Sequence, residues 1–459
     1  MLDQVLATVD SRRDESVEGL KDFLSIPSIS AQPAHKEDMV RCAQSLAGTL
    51  GQMGLSASVM PTHGHPAVVA RNEHRPGRPA ILFYGHYDVQ PPEPLDQWAT
   101  PPFTPTIRKT EAGTDAVFAR GAVDDKGQVW CHVEAIRAWQ QNGGVPVNLI
   151  MLIEGEEEIG SDNLDRFVQQ HKGELKADLA VISDTDQFDR GLPAITTALR
   201  GLCYAEVFIT GPSHDLHSGQ FGGAVPNPAN VLVEVLGSLH TKSGKVNIPG
   251  FYDDVVKLTA AERKAWRKLP LTEKQFARSV GIPHGSGEAG FTSLERTWGR
   301  PTCDINGITT GYQGPGAKTV IPSTASAKVS MRLVAKQNPK KIQKLFEKTI
   351  RSRCPDNVKV RFEWHGASEP SLVPVDSKPT QLAIEALQIG FGTKPTFMRA
   401  GGSIPVVGLI KRVLGIETLL VGFGLPDDRV HSPNEKFDLD CLFGGTRTAA
   451  ALYERLAKL

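Results

Sequence analysis

The sequence predicts an α/β protein, with a mainly parallel central sheet flanked by helices and a smaller α+β domain inserted into it. Three observations predict this. Through residues 1–195 short apolar runs alternate with amphipathic stretches, the β-α-β order that gives parallel sheets. Over residues 196–371 strands and helices still alternate, but without the continuous apolar runs of strands buried on both faces. The first pattern returns over residues 372–459. The expected organisation is therefore a discontinuous catalytic domain, 1–195 and 372–459, and an inserted lid or dimerisation domain, 196–371.

The elements follow in order. Val5, Val9, Val17, Leu20 and Phe23 fall at helical spacing, and Ser25–Ser30 (SIPSIS) ends that stretch. Val40–Met53 reads as a second helix, closed by Gly51 and Gly54. Ala67–Ala70 and Ile81–Tyr84 read as strands, and Pro-rich Gln90–Thr106 as an ordered loop. A helix is expected at Lys126–Gln141, a strand at Asn148–Ile153, a helix at Leu164–His171 and a strand at Ala177–Ile182. In the insertion, strands are expected at Tyr204–Thr210, Lys328–Val334 and Val358–Trp364, with helices at Ala229–Leu239 and Pro339–Arg351. Phe251–Gly299 is polar with helical stretches and carries no legible motif. The chain closes with a helix at Thr380–Ile389, a strand at Thr418–Gly422 and a helix at Leu439–Leu456.

Bulk properties narrow the function. Lys+Arg and Asp+Glu both number 51, so the net charge is zero and no basic or acidic footprint for nucleic acid or a membrane surface is present. No apolar run approaches the roughly 20 residues of a membrane span. The N-terminus, MLDQVLATVDSRRDESVEGL, is acidic and amphipathic and has no signal-peptide core, so a cytoplasmic location is expected. The six cysteines (Cys42, Cys131, Cys203, Cys303, Cys354 and Cys441) are widely spaced and form no Cys-x-x-Cys pair. A disulfide framework or thiolate zinc site is not expected, and any metal would be held by His, Asp and Glu.

Acidic and histidine motifs recur at corresponding places. His86 and Asp88 follow one apolar strand in ILFYGHYDVQ, Glu156, Glu157 and Glu158 follow a second, and Asp184 and Asp186 a third. Asp124 and Asp125 lie in a turn before a helix, and His431 follows the strand at Leu419–Val421. All should project at the carboxyl edge of one sheet, where open α/β folds place their crevice. Alone, His86 reads as a structural strand-end histidine, and Asp124 or Asp184 as a helix cap. Three glutamates crowded behind an apolar strand are costly unless a cation sits nearby. Two histidines and several carboxylates suit one or two divalent ions such as zinc or manganese.

The set GHYDVQ, ARGAVDDKG, EGEEEIGS, ISDTD and VHSPNEK, in this order, resembles the co-catalytic two-metal peptidase family of carnosine and other cytosolic dipeptidases, succinyl-diaminopimelate desuccinylase and aminoacylase. The resemblance runs from SIPSIS to the final helix. It implies two divalent metal ions per subunit, zinc first, with manganese or cobalt as alternatives. His86 and Asp184 would bind one ion, Glu158 and His431 the other, and Asp124 would bridge them. Asp88 would hydrogen-bond the second ring nitrogen of His86. Glu157 would be the general base that takes a proton from the bridging water and hands it to the leaving amine. A cis peptide between Asp124 and Asp125 is also implied.

The insertion is similar to the dipeptidase branch. SHDLHSGQFGG contains His217, which resembles the histidine that reaches a partner subunit's active site and stabilises the oxyanion; His214 lies in the same loop. By the same resemblance Thr319 in GAKTVIP contacts substrate, and Arg332 in SMRLV binds its C-terminal carboxylate with a two-donor fork. Ser403 in AGGSIPV lies in a glycine-rich loop that would meet the same carboxylate. The function expected is hydrolysis of short peptides with a free C-terminal carboxylate by a homodimer, with His217 and Thr319 contributed in trans. Deacylation of N-acyl amino acids on the same machinery is the alternative. A non-catalytic peptide-binding descendant is disfavoured because His86, Asp124, Glu157, Glu158, Asp184 and His431 are all retained.

Overall fold

The apolar run at Ile81 forms the strand Ala80–His86, buried from Ile81 onward. Asn148–Glu154 and Leu179–Ile182 are buried along their whole lengths, as strands covered on both faces should be. The computed structural model describes residues 1–402 and 404–459. They divide into two units, one of Met1–Thr197, Val373–Met398 and Pro405–Leu459, the other of Ala198–Leu372 and Arg399–Ile404.

In the first unit the sheet runs in the order Ser56–Met60, Ala67–Arg71, Asn148–Glu154, Ala80–His86, Leu179–Ile182, Glu417–Leu420, Ala194–Leu199. The strands from Asn148–Glu154 to Glu417–Leu420 are mutually parallel. Those at the margins join antiparallel, so the sheet is mixed with a parallel centre. Ile81, Phe83, Leu149, Met151, Ile153, Val181 and Leu419 enter one apolar cluster. Residues of the helices Leu2–Ser11, Arg13–Leu24, Lys36–Gln52, Lys126–Gln141, Lys378–Phe391 and Leu439–Leu456 complete it. Because strand side chains alternate, Leu82, Tyr84 and His86 turn to the opposite face. The N-terminal periodicity resolves into two helices, interrupted at Arg12. A small antiparallel sheet, Lys436–Asp438, Asp115–Phe118 and Thr106–Lys109, was not legible in the periodicity.

The second unit is built on a four-stranded antiparallel sheet in the order Asp304–Thr310, Thr324–Leu333, Gly201–Thr210, Lys359–Ser368. Gly201–Thr210 alternates buried and half-buried residues along its length. Its inward side chains Cys203, Ala205, Val207 and Ile209 pack with Leu232, Val235 and Leu236 of the helix Pro228–Gly237 and with Ile342, Phe346 and Ile350 of the helix Pro339–Arg353. The polar segment 251–299 contains three seven-residue helices, Ala260–Trp266, Glu273–Ser279 and Ser293–Gly299. Each begins with a capping box: Thr259 with Glu262, Thr272 with Gln275, Thr292 with Glu295.

Candidate metal centre

Strand register brings the first two candidate ligands together. Tyr84 pairs with Ile182 across parallel strands, and His86 and Asp184 each lie two residues beyond that pair. Gly85 is required where the strand passes the start of the helix Lys126–Gln141: a Cβ there would lie 2.6 Å from Val129 Cγ2 and 2.8 Å from Asp125 Oδ2. That same Oδ2 accepts the His86 N–H at 3.2 Å. Asp124 precedes the helix Lys126–Gln141 and is joined to Asp125 by a cis peptide. His431 lies in the loop after Glu417–Leu420, in the left-handed region at φ 61°, which few non-glycine residues adopt.

Among the described residues, two groups of side chains could each hold a metal ion: His86, Asp124 and Asp184, and Asp124, Glu158 and His431. Within each group the donor atoms all lie within 4.8 Å of one another, and Asp124 belongs to both. Its Oδ1 is 3.1 Å from His86 Nε2 and its Oδ2 is 2.9 Å from His431 Nε2. Glu158 Oε2 is 3.2 Å from the same His431 nitrogen. His86 Nε2 is fully buried and, despite its nearness to Asp124, has no hydrogen-bond partner of suitable geometry. An orphaned imidazole nitrogen facing carboxylates is what a cation-binding donor set presents.

The electrostatics agree. Burial raises the Asp184 pKa well above the usual carboxylate range, and the Asp125 and Asp124 carboxylates add to it. Burial likewise lifts Glu157 to about 7; nearby His86 opposes this, while Asp124, Glu158 and Asp88 reinforce it. Burial alone would raise Asp124 too, but hydrogen bonding to His431 and the closeness of His86 hold it well below its ordinary value. Hydrogen bonds to Asp124 and Glu158 push His431 up to about 10. For His86 burial works downward, yet the Asp124 and Asp88 carboxylates carry it above the ordinary histidine value. Crowded buried carboxylates of this kind are stabilised by a cation.

The three consecutive glutamates separate by role. Glu158 joins His431, and its Oε2 also accepts from Gln90 Nε2 at 2.8 Å. Glu157 is half-buried beside the two groups without belonging to either. Glu156 turns away and accepts from Asn163 Nδ2 at 2.9 Å and from the His65 N–H at 3.1 Å. Asp88 makes two sets of contacts. His86 Nδ1 is 3.1 Å from the Asp88 backbone carbonyl and 3.4 Å from its carboxylate. The carboxylate also accepts the N–H groups of Glu157 at 3.2 Å and Glu158 at 3.0 Å, bracing the turn that carries both. Gln90 and Glu435 are further groups beside the centre to which the motifs assigned no role, and Asp125, named there beside Asp124, accepts the His86 N–H.

In the second unit, the short pair Leu216–His217 and Val320–Ile321 sets His217 opposite Val320, and Ser218 N–H donates to the Thr319 carbonyl at 3.1 Å. His217 and Thr319 are thus neighbours, and both are exposed. His217 Nδ1 accepts the Gly219 N–H at 3.1 Å, which leaves Nε2 as the outward ring nitrogen. His214, also exposed, lies 3.0 Å from Ser213 Oγ through its Nδ1. Arg332 is half-buried on the strand Thr324–Leu333, opposite Leu202. Ser403 lies outside the described residues.

An α/β unit with two donor groups sharing one carboxylate at the carboxyl ends of parallel strands is the framework of a metal-dependent hydrolase. The chain matches peptidase family M20/M25/M40 over residues 82–455, and it belongs to that family. It is 33% identical to the Cys-Gly metallodipeptidase of Schizosaccharomyces pombe over 100% of this chain and 99% of that protein. To the human Beta-Ala-His dipeptidase it is 32% identical, over 100% of this chain and 93% of the other. Among solved structures it superimposes on an M20 family metallo-carboxypeptidase from Sulfolobus solfataricus with a TM-score of 0.85 at 31% identity, covering 97% of this chain and 100% of that one. Among the described residues no helix is long and apolar enough to cross a membrane.

Proposed function

We propose that this chain is a two-metal dipeptidase acting on short peptides with a free C-terminal carboxylate. The observation that carries this reading is the pair of donor groups sharing Asp124, in a chain similar over its whole length to proteins named as dipeptidases. His86 and Asp184 would hold one divalent ion, Glu158 and His431 the other, with Asp124 available to both. Imidazole and carboxylate donors suit zinc first, and accept manganese or cobalt. Bound there, the two ions would lower the pKa of a shared water and polarise the scissile carbonyl. Glu157, a half-buried carboxylate beside both donor groups and part of neither, is suited to take a proton from the attacking water and pass it to the leaving amine. Asp88 holds the turn on which Glu157 and Glu158 sit. By the same resemblance, Arg332 with its two-donor fork and Ser403 would bind the substrate carboxylate. The active form is a cytoplasmic homodimer in which His217 and Thr319 of the partner subunit complete the site, His217 donating to the oxyanion.

A substrate panel tests the reading. Dipeptides, tripeptides and N-acylated amino acids would be assayed with zinc, manganese or cobalt. Unblocked dipeptides should turn over fastest. Tripeptides released from the C-terminus at a higher kcat/KM would move the assignment toward the carboxypeptidase named for the archaeal relative. Hydrolysis of N-acyl amino acids alone would replace it with the deacylase reading.

Metal loading should release protons. His431, held at about 10, is protonated at neutral pH in the metal-free chain, and the carboxylates beside His86 shift it in the same direction. Ligation requires neutral imidazoles, so ions displace those protons and bind more tightly as pH rises. A pH indicator in weakly buffered solution would show acidification on adding zinc; proton uptake would contradict the ligand set.

His217→Ala should lower kcat by about 10²-fold or more with metal content unchanged. Mixing that variant with Glu157→Ala subunits should restore activity, because a mixed dimer contains one site with both residues intact. Failure of restoration, with mixed dimers demonstrated, would remove the in-trans assignment.

A further inference from the structure

Glu435 belongs to neither donor group, yet its carboxylate is fully engaged directly behind them. Its Oε2 accepts from Arg120 Nη1 at 2.7 Å and from the Gly121 N–H at 3.0 Å. Its Oε1 accepts from the Val123 N–H at 3.1 Å and the Asp124 N–H at 3.2 Å. Both Glu435 and Arg120 are 99% buried, each 1% exposed. Arg120 is itself fixed, with Nη2 donating to the Pro91 carbonyl at 3.2 Å and the guanidinium over the Trp98 ring at 5.4 Å. With both oxygens occupied by donors, Glu435 is not placed to act as a metal ligand.

The contacts link two segments far apart in sequence. Glu435 lies four residues after His431, and the next residue, Lys436, pairs with Phe118 in the small antiparallel sheet. The backbone it grips, Gly121–Asp124, includes a left-handed glycine at φ 81° and ends on the carboxylate shared by both donor groups. A buried ion pair adds little stability over apolar residues of the same volume, but its hydrogen bonds are directional. Here three of the four donors are backbone N–H groups of one loop, so the directionality fixes that loop.

We propose that Glu435 is a positioning residue for the metal centre: its carboxylate fixes the Gly121–Asp124 backbone, and through it the Asp124 side chain, relative to the segment that carries His431. The inference rests on the reading of Asp124 and His431 as metal ligands. Groups that orient ligands typically contribute 10–100-fold to metal affinity.

Glu435→Gln tests it. The amide keeps the shape but replaces one oxygen with NH₂, so in either orientation one pair of donors meets a donor. Metal affinity, measured by competition with a chelator, should fall by at least about tenfold. The visible absorption of the cobalt-loaded protein should change, and far-UV circular dichroism should stay that of the wild type. Phe346→Leu, which disturbs the core of the other unit, serves as a control for destabilisation alone and should leave affinity and spectrum unaltered. If the wild type binds fewer than two ions, the two-metal reading fails. If the wild type binds two and Glu435→Gln binds both with unchanged affinity and cobalt spectrum, the positioning role is overturned. Should Glu435→Gln not fold, the same measurements on Glu435→Asp decide: its shorter carboxylate cannot span both pairs of donors, and wild-type affinity and spectrum there would overturn the role equally.

Discussion

Glu157→Ala is expected to lower kcat by at least about 10²-fold while the protein still carries two ions per subunit. The side chain stands beside both donor groups without joining either, so its removal strips neither of a donor. The contact that holds its turn is made by its backbone N–H to Asp88, which alanine retains. Local structure should therefore survive. A base acts as the proton moves in the transition state, so KM should change little and the loss should fall on kcat. Glu157→Gln should behave similarly, since an amide hydrogen-bonds but does not accept the proton. Elemental analysis of bound metal alongside steady-state kinetics checks both points. Unchanged turnover would take the base role from Glu157. Loss of an ion together with turnover would place it among the ligands instead.

The parts of this site that were legible are those fixed by strand ends. His86 and Asp184 could be read because apolar runs stop at Tyr84 and Ile182, and parallel register then sets the next residues side by side. Asp88 shows what side-chain chemistry leaves out. A carboxylate two residues from a histidine suggests a ring contact, and one oxygen lies 3.4 Å from His86 Nδ1; the same carboxylate also accepts the Glu157 and Glu158 N–H groups, backbone contacts that no side-chain pattern encodes. Glu435 was visible within VHSPNEK, yet its partners are backbone amides of a distant loop, which no pattern of side chains encodes. In the second unit the strand Asp304–Thr310 escaped because a register shift between Ile305 and Gly307 breaks its alternation. The helices of 251–299 span only about two turns each, too short for periodicity. Their capping boxes were the available signal: T-x-x-E at Thr259 and Thr292, and T-x-x-Q at Thr272.

Asp124→Ala should have a still larger effect, because one side chain serves two ions. Its oxygens face His86 at 3.1 Å and His431 at 2.9 Å, one toward each donor group. Loss of a group that merely orients a ligand weakens binding by 10–100-fold, so loss of the ligand itself should cost about 10²-fold or more at each site. At metal concentrations just sufficient to fill the wild type, Asp124→Ala should hold neither ion and show no measurable turnover. Asp184→Ala and His431→Ala each remove a donor from one group alone and should retain one ion. The contrast among the three variants tests whether Asp124 is shared, independently of any activity assay. Circular dichroism of the metal-free proteins separates ligand loss from misfolding. Retention of one tightly bound ion by Asp124→Ala would mean that it serves a single site. The paired centre would then need another bridging donor, with Glu157 the nearby carboxylate outside both groups to test.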